Sequence, residues 1–401
     1  MQGIYEDGVG DVDKYINENL ILKIKKPDNF RCSEQVIKFI NRFRTDDLQQ
    51  ELALKKKNGS FEKNEDRQGA IRLYYLMNDN KPNLQSPTEE KLAYTNSIHT
   101  LIDAAKNDMN GSFRILMLTN KAIAEKAGFG GLYEIFAKRF GRNLKDQLEK
   151  TLTTLQFNEI FDLIKNDENS QHWMIIENAK KSGYRFENAK SKSIILSAIS
   201  ALKKQTLAAN KAISKLISLK IISESNSRKS FISRCQLFLE ELEENQEFQR
   251  FKQLYNSGFN TYAKFSKEDS SIDEYEFYDF ERDHNKENFF QSLLSDKLEL
   301  SEIISYFRYI NEESEYITMH KTKGTGIKNT IVVFDEFFWP SYKFKDIFIE
   351  SNLQYISDAS KKILYVACSR TISNLFCVRI ISSSEKADLD KFFETAIEVN
   401  T

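Results

Sequence analysis

Two blocks of strand–helix alternation, one toward each end of the chain, bracket a long stretch in which no strand signal is convincing. In the first block, Leu20–Ile24 alternates like a short strand, and Ser33 can cap a helix running through Phe43 with Val36, Ile37 and Ile40 on its inner side. Ile71–Leu76 reads as a second strand, Thr88–Lys106 as a helix, and Arg114–Leu118 as a third strand, followed by a helix ending near Gly128. The second block has strands at Tyr316–Met319 and Thr330–Phe334, a helix at Ser357–Cys368, a strand at Leu375–Ile381 and a final helix from about Glu385. Alternation of this kind is what a parallel sheet covered by helices requires. Between the blocks, Ser191–Ile222 reads as one long helical pattern with room for one break, Phe231–Leu254 as another, and the acidic, aromatic Ser266–Asp283 as a loop or irregular edge. The expected fold class is α/β, a parallel sheet interrupted by a mostly helical insert, divided at 1–141, 142–300 and 301–401.

Composition narrows the function classes. Only 4 Pro and 14 Gly argue against a β-sandwich or a disordered chain. Because 58 Lys+Arg offset 59 Asp+Glu, net charge does not announce nucleic-acid binding, and a basic groove would have to be local. Cys32, Cys235, Cys368 and Cys377 are far apart, with no C-x-x-C or Cys/His cluster, so neither a disulfide framework nor a metal site is expected. They read as reduced thiols of a cytoplasmic protein. His99, His172 and His284 have no ligand neighbours in sequence and read as structural or exposed. No signal peptide or membrane-spanning run is present.

Three segments place basic groups where an anion would be met. In Asn29-Phe30-Arg31-Cys32-Ser33-Glu34 an arginine stands just before a helix N-terminus, whose free N–H groups and positive potential already favour anions. Its guanidinium can donate paired hydrogen bonds to phosphate oxygens, and Phe30 offers a flat face beside it. The plainer reading makes Arg31 a surface residue near a carboxylate and puts Phe30 in the core. Arg370 follows the apolar run Ile363–Val366, which should pack on the sheet and set the arginine at its edge. There it suits charge on a transferring phosphoryl group. The plainer reading is a helix C-terminal arginine facing the dipole. Between two expected strands, His320-Lys321-Thr322-Lys323-Gly324-Thr325-Gly326 forms a polar loop suited to nucleic-acid phosphates.

Taken whole, these strings resemble a known set. Tyr316–Phe334 (YITMHKTKGTGIKNTIVVF) and Lys361–Val378 (KKILYVACSRTISNLFCV) resemble motifs V and VI of the UvrD/Rep-type superfamily-one DNA helicases. NFRCSEQVIKFIN resembles motif IV, and the opening Met1–Gly8 resembles motif III. The resemblance spans nearly the whole chain, although residues 142–300 match only in position and helical character. It implies a RecA-like domain 2A with a helical 2B-like insert, in an enzyme coupling ATP hydrolysis to 3′-to-5′ movement on single-stranded DNA. On that footing Arg31 and Arg370 contact ATP phosphates as catalytic groups, Gln2 senses the γ-phosphate, and Phe30 packs on adenine. Gly326 occupies the nucleotide-sugar position, and Tyr5, Thr318, His320, Lys323 and Thr325 face DNA.

The departures are as informative as the matches. The sequence has no G-x-x-x-x-G-K-[ST] phosphate loop, and no strand ending in Asp-Glu before motif III. Asp335-Glu336 follows a strand but lies after motif V, so it is not the magnesium-holding acid. Glycine stands at 326 where the family usually has glutamate, and Asp7 stands where an aromatic is common, removing a stacking platform worth roughly 1–3 kcal/mol per base. A chain starting inside motif III implies that ATP and Mg are held by a missing N-terminal RecA-like half, in the same gene or a separate chain, with a nuclease as a further partner. The alternative is a catalytically incomplete remnant that binds DNA or a partner without hydrolysing ATP. Either way, the isolated chain is expected to hydrolyse ATP very poorly; DNA-stimulated turnover typical of an intact helicase, measured on this chain alone, contradicts that expectation.

Overall fold

The computed structural model describes residues 24–44, 48–57, 60–204, 207–322, 324 and 326–400. The chain forms two compact units, one joining the segment up to Lys126 with the segment from Glu312 onward, the other Ala127–Asn311. The first holds a six-stranded, fully parallel sheet. Its strands are β1 Ile71–Met77, β2 Phe113–Met117, β3 Tyr316–Thr318, β4 Ile327–Val333, β5 Thr371–Ile381 and β6 Thr395–Glu398, in the spatial order β6-β1-β5-β4-β2-β3. This is an α/β, RecA-like sheet interrupted in sequence by a helical insert.

The central strands are built for burial on both faces. From Asn329 to Val333, β4 is continuously buried and rich in β-branched residues, as parallel strands between helices must be. In register, Leu73 of β1 and Val332 of β4 both flank Cys377 of β5. On one face sit α1 (Glu34–Asn41) and, later in the chain, a helix that packs into the same cluster. Helix α1 contributes Val36, Ile37, Phe39 and Ile40, each worth about 1.5–3 kcal/mol on full burial. The other face is covered by α2 (Thr88–Asp108), which opens with Glu89 and Glu90 against the helix dipole. Its Tyr94, Ile98, Leu101, Ile102 and Ala105 repeat at helical spacing and are buried. The later helix is α3 (Asp358–Cys368), capped by Ser357 and buried without a break from Ile363 to Cys368.

Three expectations change, and a fourth falls almost wholly outside the described residues. The strand expected at Leu20–Ile24 lies outside the described residues except for Ile24, which is not in a strand. Instead of one final helix from Glu385, two short helices, Ser383–Lys386 and Leu389–Phe392, precede the edge strand β6. That strand is four polar-flanked residues whose pairing partner β1 lies more than 300 positions earlier, so only the tertiary fold defines it. The acidic, aromatic stretch expected as a loop is largely a helix, Glu274–Leu293, started by an Asp273/Glu276 capping box. Phe277 then enters a cluster with Phe248, Phe251 and Phe265, which the charge density around it had masked. The Phe231–Leu254 pattern is two helices, Asn226–Glu244 and Gln246–Asn256, with Asn245 ending one and capping the next.

Strand β5 ends by burying a full charge. The Arg379 Nε donates to Glu385 Oε1 at 3.0 Å, and its terminal nitrogens donate to the carbonyls of Phe334 (2.9 Å) and Phe344 (2.6 Å). This ties the loop after β4 to the end of β5. Losing one partner of a buried pair strands the other, so Arg379→Ala is expected to destabilise the protein by about 3–5 kcal/mol, read by denaturant or thermal unfolding; a wild-type transition for this variant contradicts the assignment.

Candidate phosphate-binding site

The chain's residues 29–33 and 369–373 are remote in sequence and lashed together in space. Ser33 N–H donates to the Ile372 carbonyl at 2.7 Å, its hydroxyl donates to the Ser373 carbonyl at 3.0 Å, and Cys32 Sγ lies 3.4 Å from the Ser369 carbonyl. The segment Tyr316–Phe334 joins them through Ile327 N–H, which donates to the Arg370 carbonyl at 2.8 Å. All of these groups lie at the N-terminal edge of β4 and β5. Gly69 is required at the same seam, since a Cβ there would stand 2.0 Å from the Ser373 carbonyl oxygen.

Two arginines converge at this edge. Arg370 is only 2% exposed; its Nε donates to the Val366 carbonyl at 3.1 Å, and its terminal nitrogens have no partner among the described residues. Arg31 is half-buried, makes no ion pair among the described residues, and lies against Gly326, whose added Cβ would be 3.6 Å from the Arg31 Nε. Burial lowers the Arg370 pKa from its ordinary value, and the neighbouring positive charge of Arg31 lowers it further. Two like charges held together without a carboxylate leave an anion-shaped demand. Beside Arg31 a cleft of about 330 Å³ opens between Phe30, Lys55, Gln50 and Tyr365. Phe30 is 47% exposed, not in the core, so its ring is open to a ligand.

The loop carrying Arg31 is braced from beneath by residues that sequence reasoning passed over. Asn29 accepts from the backbone N–H groups of Arg31 and Cys32, both at 2.9 Å, in an Asx turn. Arg67 is buried and donates to the carbonyls of Asn29 (3.2 Å), Cys32 (2.6 Å) and Ala53 (3.2 Å) and to Glu62 at 3.1 Å. The Asn before an aromatic–basic pair was a readable turn signal, whereas nothing local marks Arg67. Lys55, the first of three consecutive lysines, also lines the cleft.

The residues expected to face DNA divide. Tyr5, Lys323 and Thr325 lie outside the described residues, as does Gln2, the expected γ-phosphate sensor. Thr318 is 6% exposed, buried where β3 pairs with Met117 of β2, so its side chain is not presented to a strand as expected. His320 is half-buried at the opposite, C-terminal edge of the sheet, with Nε2 3.1 Å from the Tyr342 hydroxyl and its ring 5.9 Å from that of Trp339. Asp335 is fully buried, held by Lys81 (2.9 Å), the Tyr94 hydroxyl (2.6 Å) and the Phe337 N–H (2.7 Å), a structural role and not a metal-holding one. Among the described residues no group of three His, Cys, Asp or Glu side chains converges on a metal position.

With this geometry in place, comparison with known proteins adds one similarity. The chain is 23% identical over 412 aligned positions to Gabija protein GajB of Bacillus cereus (strain HuB5-5), with 93% of this chain covered. It spans about half the length of that relative (52%), and the alignment reaches into both compact units. No protein-family model matches. Among the described residues, no helix is long and apolar enough to cross a membrane.

Burial holds the imidazoles of His99 and His320 below their ordinary pKa of 6.5, and a nearby Lys126 adds to the effect at His99. Both rings are therefore neutral at pH 7. Below pH 6.5 the unfolded chain takes up protons that the folded chain resists, so this contribution is intact above pH 6.5 and is lost as pH falls beneath it. Unfolding temperature is expected to drop between pH 7 and 5.5, and the drop is expected to shrink in the His99→Gln, His320→Gln double variant; an unchanged slope rejects the assignment.

Proposed function

We propose that the chain is the C-terminal portion of an ATP-dependent 3′-to-5′ DNA helicase or translocase, corresponding to RecA-like domain 2A with a 2B-like insert. One observation carries this reading: two uncompensated guanidinium groups, 339 positions apart in the chain, meet at one sheet edge beside an open aromatic face. Triphosphate suits that arrangement. Arg370, rigidly placed by its bond to Val366, would stabilise charge on the γ-phosphoryl oxygens, and Arg31 would orient the same group. Phe30 would pack on the adenine, and Gln2 would sense the γ-phosphate. Tyr5, His320, Lys323 and Thr325 would meet single-stranded DNA. The phosphate loop and the magnesium-holding acid would come from a second RecA-like domain, and ATP and Mg would enter between the two. A nuclease is a fitting further partner, since cleavage chemistry has no visible home among the described residues.

The competing reading, a remnant that binds DNA or a partner without hydrolysis, draws on Gly326, where a side chain that would reach the nucleotide sugar is absent. The arginine pair favours catalysis, because binding alone gives a buried, unpaired Arg370 no task. The two separate cleanly. In an assembly containing the phosphate-loop half, Arg370→Ala is expected to lower the DNA-stimulated ATPase kcat by roughly 10³-fold or more while oligonucleotide affinity holds. Hydrolysis that is insensitive to this change rejects the reading.

A further inference from the structure

At the edge of the sheet opposite the arginines, a cleft of about 520 Å³ opens where β1, β4 and β5 end, the side on which open α/β sheets take ligands. Its floor is the structural network already described, and its wall is the segment 335–345. Phe337 and Phe338 adopt φ of 45° and 63°, a region costly for bulky side chains. The strain is held by the Phe337 N–H bond to Asp335 and by packing of Phe338 on Tyr94, with ring centroids 5.9 Å apart. Its effect is to turn Trp339 outward. Trp339 is 37% exposed, supported edge-on by Tyr342 at 5.1 Å and flanked by His320 at 5.9 Å. A strained loop that presents a braced indole is a stacking platform by construction.

The charge around it is selective. Each carboxylate of the cleft has at least one partner within the protein: Asp335 and Glu336 share Lys81, Glu385 pairs with Arg379, and Asp79 accepts from the N–H and hydroxyl of Ser383. Lys343 and Lys345, also lining the cleft, make no ion pair among the described residues. Two ammonium groups without a carboxylate partner among the described residues thus line the same cleft as an exposed aromatic face, the pairing that single-stranded nucleic acid satisfies with a base and its flanking phosphates.

We propose that this cleft is a single-strand binding site in which Trp339 stacks on a base and Lys343 and Lys345 contact the adjacent phosphates. The proposal rests on the nucleic-acid reading above, because His320 packs against Trp339 and Tyr342, which line the cleft. It adds a base contact outside the loop that resembles motif V, and so lengthens the strand footprint on this unit.

The chain contains two tryptophans, Trp173 and Trp339, so Trp173→Phe leaves Trp339 as the sole indole reporter. Titrating the full chain carrying Trp173→Phe with fluorescein-labelled oligo(dT) is expected to quench indole emission in step with the rise in label anisotropy. Trp339→Ala is expected to weaken binding by about 5- to 100-fold, the range that stacking of one base carries, and Trp339→Phe to restore most of it. On an abasic oligomer the affinity gap between the parent protein and its Trp339→Ala variant is expected to vanish, which separates stacking from lost packing. Lys343→Glu with Lys345→Glu is expected to lower the salt slope of binding by about one to two. Oligo(dT) that binds by anisotropy with no indole quench and no Trp339→Ala effect overturns this inference and leaves the proposed function standing. An oligomer that does not bind at all overturns both.

Discussion

The seam between the Asn29–Ser33 turn and the start of β5 is the interaction on which the rest depends. Its backbone and hydroxyl bonds place Arg31 beside Arg370 despite their mutual repulsion. Such a juxtaposition is unfavourable in an empty protein, so something must enforce it. Two features do: Arg67, whose guanidinium gathers the carbonyls of the turn from below, and Gly69, which admits the backbone of β5 at a distance no other residue tolerates. The strain this seam maintains is electrostatic, and a bound polyanion would relieve it.

The sheet gives its two ends different chemistry. Its N-terminal edge gathers guanidinium groups, and the terminal nitrogens of Arg370 lack partners among the described residues. Its C-terminal edge gathers buried ion pairs beneath a cleft lined by an exposed indole and two lysines. Both edges are reached by the short link from β3 to β4, which begins near His320 at one end and finishes at Gly326 against Arg31 at the other. A nucleotide at one end and a strand at the other would therefore bear on the two ends of one covalent segment only a few residues long, a simple mechanical route for coupling their occupancy.

Much of this was legible in the sequence, for identifiable reasons. The buried β-branched run of β4, the Val36–Ile37–Ile40 stripe of α1 and the apolar Ile363–Val366 segment before Arg370 all carry their period locally, and each lies in an element of the expected type. Other features had no local signal. The edge strand β6 is defined by β1 alone, and the Glu274–Leu293 helix hides its inward Phe277 among acidic and tyrosine residues. Thr318 showed the limit of motif reasoning. Its place in the string was clear, but its pairing with Met117 buries it. The sequence placed Asp335 after a strand and gave it no metal-holding role, but only the fold shows that Lys81 and Tyr94, from a distant loop and helix, enclose it.

The sequence by itself determined the fold class, the interruption by a helical insert and the identity of the two arginines, because hydrophobic period and short motifs are properties of neighbours along the chain. The convergence of Arg31 with Arg370, the brace by Arg67, the burial of Thr318 and the outward turn of Trp339 were decided only by the tertiary structure. Each depends on groups tens to hundreds of residues apart whose free energy is set by shared desolvation and hydrogen-bond satisfaction, which no local pattern encodes.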